Sequence, residues 1–207
     1  MVMHHQNLSC FDVSRETFER LEALVALLEK WNRKINLISK STTLDIWNRH
    51  IEDSAQIMRY APESCDHWLD LGSGGGLPGL VIAIIGAEHG RIKKVTMVES
   101  DGRKCAFLAE ASRQLALPVE VINERIESIS RQDADVVSAR ALADLSILLG
   151  FCYPHVGKRS KLLFPKGANH LAEIQRARES WRFQLEVHPS MTDPSAAVLE
   201  ISDLARN

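Results

Sequence analysis

The run Asp70-Leu71-Gly72-Ser73-Gly74-Gly75-Gly76-Leu77-Pro78-Gly79 is the strongest single feature of this sequence. It lies between a short apolar run, HWLDL, and the apolar segment LVIAII. Glycine permits positive φ angles and a close approach of the backbone to a ligand, so the stretch predicts a strand, a binding loop and a helix in that order. Gly74, Gly76 and Gly79 also satisfy GxGxxG, a weak match that on its own indicates a dinucleotide site.

The carboxylate of Asp70, ahead of the glycines, separates two classes of ligand. At the mouth of the loop it would repel a pyrophosphate, but it suits a cationic ligand such as a sulfonium amino acid. Asp70, Gly72, Gly74 and Gly76 together meet the pattern D/E-x-G-x-G-x-G. This pattern resembles motif I of the class I methyltransferases that bind S-adenosylmethionine.

A second acidic residue, Glu99, ends the next apolar run, VTMVES. A carboxylate at this place can accept both hydroxyl protons of a ribose. Dinucleotide-binding and S-adenosylmethionine-binding proteins both use this device. Glu99 therefore indicates an adenosine-type ligand, but it does not distinguish a dinucleotide from S-adenosylmethionine.

From about residue 66 onward, short apolar runs alternate with helical segments. Strand followed by helix, repeated, is typical of a parallel sheet covered on both faces. The runs at 183–188 and 197–202 predict a closing antiparallel pair, while 18–31 and 43–60 show helical periodicity. This pattern predicts a Rossmann-like α/β domain over residues 66–207 and an N-terminal helical extension over residues 1–65. The resemblance to motif I implies that the domain has the class I S-adenosylmethionine-dependent methyltransferase fold.

Composition excludes several classes of protein. The 207 residues include 25 Lys+Arg and 27 Asp+Glu, so the net charge of -2 argues against coating nucleic acid by bulk charge. The four cysteines form no CxxC pair and no histidines have zinc-finger spacing, so no metal site is expected. The longest apolar stretch, Leu80–Ile85, is too short to span a membrane, and the first ten residues do not resemble a signal peptide. We expect a cytoplasmic protein with reduced thiols.

Several further motifs, taken with the glycine loop, resemble one family. They are WNRKINL at 31–37, HIEDS at 50–54, Glu99-Ser100 with Arg103-Lys104, NERIE at 123–127, SARA at 138–141 and PKG at 165–167. In this order they resemble the 16S rRNA (guanine(527)-N(7))-methyltransferases, ribosomal RNA small subunit methyltransferase G, once called glucose-inhibited division protein B. The resemblance implies methyl transfer from S-adenosylmethionine to N7 of a guanine in 16S rRNA of the small ribosomal subunit.

The resemblance also implies a set of cofactor contacts. Gly72 and Leu77 would line the methionine and adenosine sides, Glu99 would hold the ribose, and Ile126 with Glu127 would flank the adenine. The complete expected set is Asp70, Gly72, Gly74, Gly76, Leu77, Glu99, Ile126, Glu127 and Arg140. Many relatives have Ser-Arg-Ala where this chain has Ser-Ala-Arg-Ala, which leaves the roles of Ser138 and Ala139 open. No catalytic base is expected, because guanine N7 has a free in-plane lone pair.

Two cationic stretches, at 30–60 and 158–178, flank the predicted site. We expect phosphate contacts from Arg33, Lys34, Arg49 and Lys166, with Lys30, Lys158, Arg159 and Lys161 as further candidates. Trp31, Trp47 and His50 fit buried structural positions better than base stacking or metal binding. The weak net charge favours an assembled small subunit as substrate, and a monomer is the default.

Two other functions use the same residues. An NAD(P)-dependent oxidoreductase would also have GxGxxG and Glu99, but neither Tyr60 nor Tyr153 is followed by a lysine four residues later. A non-catalytic S-adenosylmethionine-binding RNA module would recognise RNA without transferring a methyl group.

Overall fold

A seven-stranded sheet organises the computed structural model, which describes residues 8–10 and 12–207. Its strands are β1 (Cys65–Leu71), β2 (Ile92–Val98), β3 (Val119–Ile122), β4 (Ala134–Ser138), β5 (Val156–Lys166), β6 (Trp181–Pro189) and β7 (Ala197–Arg206). Their order across the sheet is β3-β2-β1-β4-β5-β7-β6. Strands β1 to β5 pair in parallel, and β7 pairs antiparallel with both β5 and β6. The predicted α/β fold with its closing antiparallel pair is confirmed.

Six α-helices accompany these strands in the described part of the chain. They are α1 (Arg15–Asn32), α2 (Asp53–Ala55), α3 (Gly79–His89), α4 (Gly102–Gln114), α5 (Leu145–Cys152) and α6 (His170–Arg178). The apolar segment after the glycine loop forms α3, and each residue from 80 to 85 is at most 1% exposed. A helix that is apolar on every face is stable in water only when it is buried in this way. None of the helices in the described ranges is long and apolar enough to cross a membrane.

Helix α1 packs the N-terminal extension onto the sheet domain. Ser14 caps its N-terminus, and Ser14 Oγ accepts a hydrogen bond from the backbone N–H of Thr17 at 3.2 Å. Its apolar stripe is buried in one cluster with α3, β1 and β2. Trp31 contacts the ring of Phe107, with 5.8 Å between centroids. The change of element type near residue 65 therefore does not interrupt the hydrophobic core. The prediction that the first ten residues are not a signal peptide falls mostly on residues 1–7, which lie outside the described residues.

The segment 40–60 differs from the single helix predicted over 43–60. It consists of a 3₁₀ segment (Lys40–Asp45), a π-helical turn (Trp47–Glu52), the short α2, and a second 3₁₀ segment (Gln56–Tyr60). The backbone N–H of Asp53 donates to the carbonyls of Asn48 and His50 and bypasses that of Arg49. The prediction of one regular helix was wrong because hydrophobic periodicity does not report which backbone carbonyls bond to side chains elsewhere in the fold.

Candidate active site

The glycine loop leaves the carboxyl end of β1, which pairs with β2 on one side and β4 on the other. This is the switch point of the sheet, the place where open α/β sheets bind ligands. Gly72, Gly74 and Gly76 have φ angles of 64°, 53° and 75°, a region that side chains with a Cβ rarely adopt. A Cβ on Gly72 would lie 2.5 Å from Leu142 Cδ1. The backbone conformation therefore requires glycine at these three positions, and at Gly72 a side chain would also displace Leu142.

A cavity of about 1100 Å³ lies at this edge of the sheet. Most of the predicted cofactor residues line it: Gly72, Gly74, Leu77, Glu99, Ile126, Glu127 and Arg140. Two of the predicted RNA contacts, Arg49 and Lys166, line it as well. Part of its wall comes from the N-terminal extension at Leu37, whose carbonyl oxygen would be 3.0 Å from a Cβ on Gly75. The extension and the sheet domain thus build one site together.

Glu99 is buried in the cavity wall and holds the glycine loop in place. Its Oε2 accepts a hydrogen bond from the backbone N–H of Gly74 at 2.9 Å, and its Oε1 accepts one from Asp101 N–H at 2.8 Å. Each carboxylate oxygen has two lone pairs, so these bonds leave acceptor capacity for two ribose hydroxyls. The geometry fits the ribose-binding role expected from the sequence.

Asp70 lies beneath the loop and does not line the cavity; nor does Gly76. The expectation of a carboxylate at the mouth of the loop is corrected, because Asp70 is part of β1 and is fully buried. Its Oδ1 accepts a hydrogen bond from Ser138 Oγ at 2.7 Å, while its Oδ2 has no partner among the described residues. Burial raises the pKa of Asp70 to about 6, partly offset by the hydrogen bond from Ser138.

Ser138, whose role the sequence left open, links β4 to β1. Its hydroxyl donates to Asp70 and accepts a hydrogen bond from Trp68 Nε1 at 2.8 Å. All three side chains are fully buried. Ser138 therefore supports the loop from below and stays away from the cavity surface.

Arg140 follows β4 and is held by three acceptors from segment 40–60. Its Nη1 donates to the carbonyl of Arg49 and to Asp53 Oδ2, both at 3.1 Å. Its Nη2 lies 2.9 Å from His50 Nδ1, and His50 Nε2 lies 2.8 Å from Thr42 Oγ1. Burial, with the neighbouring Arg140, lowers the pKa of His50 to about 4. Sequence reasoning missed this cluster, although HIEDS places His50 and Asp53 about one helical turn apart.

The predicted RNA contacts fall into two groups. Arg33 and Lys34 are exposed at and just beyond the end of α1, and neither side chain forms an ion pair within the described ranges. Arg49 is partly exposed and pairs with Asp193 at 3.2 Å. Lys166 is only 10% exposed, and its Nζ donates to Glu173 Oε2 and to the carbonyl of Ala143, both at 2.7 Å. Its ammonium is therefore already paired within the fold.

Comparison with known proteins identifies the family. The model of the family described as GidB, rRNA small subunit methyltransferase G, matches residues 17–199. The chain belongs to this methyltransferase family. A ribosomal RNA small subunit methyltransferase G from Ruegeria sp. (strain TM1040) is 49% identical over 195 residues, which cover 94% of this chain and 95% of the relative. Its counterpart from Cereibacter sphaeroides (strain ATCC 17029 / ATH 2.4.9) is 48% identical over 204 residues and 99% of each chain. The resemblance noted in the sequence is confirmed.

Solved structures show the same fold at low sequence identity. Ribosomal protein L11 methylase from Lactobacillus delbrueckii subsp. bulgaricus has a TM-score of 0.59 at 16% identity, covering 74% of this chain and 78% of that chain. M. jannaschii TYW2 in complex with AdoMet has a TM-score of 0.58 at 16% identity, covering 84% and 80%. These neighbours confirm the class I methyltransferase fold of this family member.

The buried carboxylate of Asp70 makes stability depend on pH. Its folded pKa of about 6 lies above the ordinary value of 3.8, so between these values the folded chain keeps a proton that the unfolded chain releases. The contribution of the protonated Asp70 carboxyl to the free energy of unfolding is fully present below about pH 4, and it is lost as the pH rises through about 6. Relative to Asp70→Asn, the wild-type free energy of unfolding should fall by on the order of 3 kcal/mol between acidic and neutral pH.

Urea unfolding of both proteins across this pH range measures the difference. Asp66→Asn, at the exposed start of the same strand, controls for the loss of one negative charge. A difference between wild type and Asp70→Asn that does not change with pH would contradict the expected titration.

Proposed function

We propose that this protein transfers a methyl group from S-adenosylmethionine to N7 of a guanine in 16S rRNA, at the position 527 expected for its family. Membership of that family makes it an S-adenosylmethionine-dependent rRNA methyltransferase. The atom, the nucleotide and the assembled small subunit as substrate are our proposal. The observation that carries it is the cavity at the switch point, where the expected cofactor residues and a fixed arginine meet.

The order of strands supports an orientation for the cofactor. Ile126 and Glu127 follow β3, Glu99 follows β2, Gly72 follows β1 and Arg140 follows β4, and these strands are neighbours in that order. Adenine, ribose and methionine would therefore lie along the strand ends from β3 to β1. The sulfonium methyl would face β4 and β5, where the cavity remains open to a nucleotide.

The chemistry needs no general base. The N7 lone pair attacks the methyl carbon, the new N–C bond forms as the S–C bond breaks, and the electron pair stays on sulfur as S-adenosylhomocysteine. Positive charge passes from sulfur to the guanine ring. The rate would come from holding nitrogen, carbon and sulfur in line and from partial exclusion of water.

RNA would be read as an exposed base with phosphate contacts around it, since side chains cannot enter the deep groove of an RNA duplex. Arg33, Lys34 and Arg49 have the exposure that phosphate contacts require. Lys166 supports the cavity wall through Glu173 in this proposal and contributes less to RNA affinity. We further propose that the extension at 1–65 carries much of the RNA surface, and that the protein acts as a cytoplasmic monomer.

Labelled methyl transfer tests the function directly. Small ribosomal subunits that lack the native modification should accept methyl from S-adenosylmethionine, and nucleoside mass spectrometry should find 7-methylguanosine at one position. Protein-free 16S rRNA should be a poorer acceptor, because net charge alone gives weak RNA affinity. Equal activity on free rRNA would contradict the assembled subunit as substrate. Cofactor binding without transfer to either acceptor would favour the non-catalytic RNA module.

Replacing Glu99 tests the placement of the ribose. Glu99→Ala should cost about 1 to 3 kcal/mol of S-adenosylhomocysteine binding free energy, because hydroxyls and the Gly74 N–H lose their acceptor. Isothermal titration calorimetry measures it, with Glu120→Ala, an exposed carboxylate on β3, as the control. Unchanged affinity would place the ribose elsewhere. Tight NADH binding in the same assay would favour the oxidoreductase, against which family membership already argues.

Salt dependence tests the phosphate contacts. Replacing Arg33 and Lys34 by alanine should reduce the slope of log K against log salt for small-subunit binding by about 1 to 2. The matched control replaces Lys93 and Lys94, which are exposed near the start of β2 at the opposite edge of the sheet. Equal slopes for the two double variants would show that charge alone, and not its position, governs binding.

A further inference from the structure

The π-helical turn Trp47–Glu52 frees one backbone carbonyl at the edge of the cavity. In a regular α-helix the Arg49 carbonyl would accept the N–H of Asp53. Here that N–H donates to Asn48 and His50 instead, and Arg49 O accepts Arg140 Nη1 at 3.1 Å. Single π-helical turns occur frequently at functional sites. The irregular backbone of this turn thus presents an acceptor to one arginine.

His50 presents a second acceptor from the same turn. An arginine only donates, so the imidazole Nδ1 that faces Arg140 Nη2 at 2.9 Å must carry no proton. Its Nε2 then carries the proton and donates to Thr42 Oγ1 at 2.8 Å. The lowered pKa of about 4 keeps this imidazole neutral at physiological pH. Its tautomer is therefore determined by its two neighbours.

Asp53 is the third acceptor around Arg140. Together with the Arg49 carbonyl and His50 Nδ1 it forms what we call the cradle, and it connects this cradle to the C-terminal part of the chain. Its Oδ2 accepts Arg140 Nη1 at 3.1 Å, while its Oδ1 accepts Gln56 Nε2 at 2.9 Å and Thr192 Oγ1 at 3.0 Å. Both carboxylate oxygens are thus engaged. The cradle is braced by the loop between β6 and β7 as well as by segment 40–60.

The bonds in this cradle leave part of the guanidinium available. Two donors of Nη1 and one of Nη2 are engaged, while Nε and the second Nη2 hydrogen have no partner among the described residues. Arg140 lines the cavity beside β4, the side to which the proposed cofactor orientation directs the sulfonium methyl. A small displacement of a positioning group at this place disturbs the line of attack.

We propose that His50 is a positioning residue for methyl transfer, whose Nδ1 acts with the Arg49 carbonyl to hold the Arg140 guanidinium at the methyl end of the cavity. The inference rests on the proposed function, since it needs that reaction to be observed. It assigns His50 and the Arg49 carbonyl a part in the reaction that is separate from RNA binding by the exposed Arg49 side chain.

Two substitutions of His50 separate this role from a structural one. In His50→Asn the amide Oδ1 occupies the place of Nδ1 and can accept from Arg140. In His50→Gln the amide reaches the place of Nε2 and Thr42 but leaves Arg140 without this acceptor. Asn48→Ala controls for substitution in the same turn, because the exposed Asn48 side chain hydrogen-bonds Asp45 and forms no hydrogen bond with Arg140 among the described residues.

The measurement is the single-turnover rate of methyl transfer to unmodified small subunits, at saturating enzyme and S-adenosylmethionine, together with the Tm of each variant. His50→Gln should be slower than wild type by on the order of 10- to 100-fold. His50→Asn and Asn48→Ala should stay close to the wild-type rate. If His50→Gln does not fold, His50→Ala serves as the second variant without an acceptor.

Equal rates for His50→Asn and the acceptor-free variants would overturn the inference. So would rate losses that follow Tm across the series, since a structural role predicts this relation. If wild type itself transfers no methyl group to subunits, the proposed function fails first and the inference fails with it. Rescue by asparagine alone, at similar Tm, supports the positioning role.

Discussion

The hydrogen bond from Ser138 Oγ to the buried carboxylate of Asp70 ties β4 to β1 directly beneath the glycine loop. The glycine loop and Arg140 both leave the sheet from the two strands that this bond joins. The loop begins one residue after β1 ends at Leu71, and Arg140 follows two residues after Ser138. A buried polar contact of this kind is expensive to leave unsatisfied, which favours one fixed spacing between the two strands. The loop and the arginine thereby share a rigid base.

The strand-loop-helix unit and the parallel sheet could be predicted because each depends on patterns within a few residues. Gly72 and Gly76 have positive φ angles, and glycine is the residue type that adopts such angles at little cost, so the sequence indicates them directly. The apolar run that became α3 predicted a buried helix next to the loop. Glu99 could be located because it directly follows a strand adjacent to β1. These features are local, so the sequence reports them directly.

The pairing of polar groups could not be predicted in the same way. The sequence predicted that the Asp70 carboxylate faces the ligand, but Asp70 lies within β1 and its side chain is fully buried. Lys166 looked like a phosphate contact, but Glu173 on α6 pairs with it. The π-helical turn presents its Arg49 carbonyl to Arg140, about ninety residues away in sequence. Each of these outcomes is decided by a tertiary partner, which neither periodicity nor composition encodes.

The two electrostatic environments of the site differ in a way that suits methyl transfer. Beneath the loop, Asp70 keeps one carboxylate oxygen without a partner among the described residues, which costs stability when the group is charged. A cation bound above would lower the pKa of Asp70, and by thermodynamic reciprocity the charged form would strengthen binding of that cation. Beside β4, by contrast, the charge of Arg140 is already balanced by Asp53 and solvated by fixed dipoles. The protein therefore keeps a buried negative group beneath the loop where the sulfonium cofactor is proposed to bind, and a positive group held by three acceptors where the nucleotide approaches. Such an arrangement attracts the cofactor without requiring the arginine to reorganise during transfer.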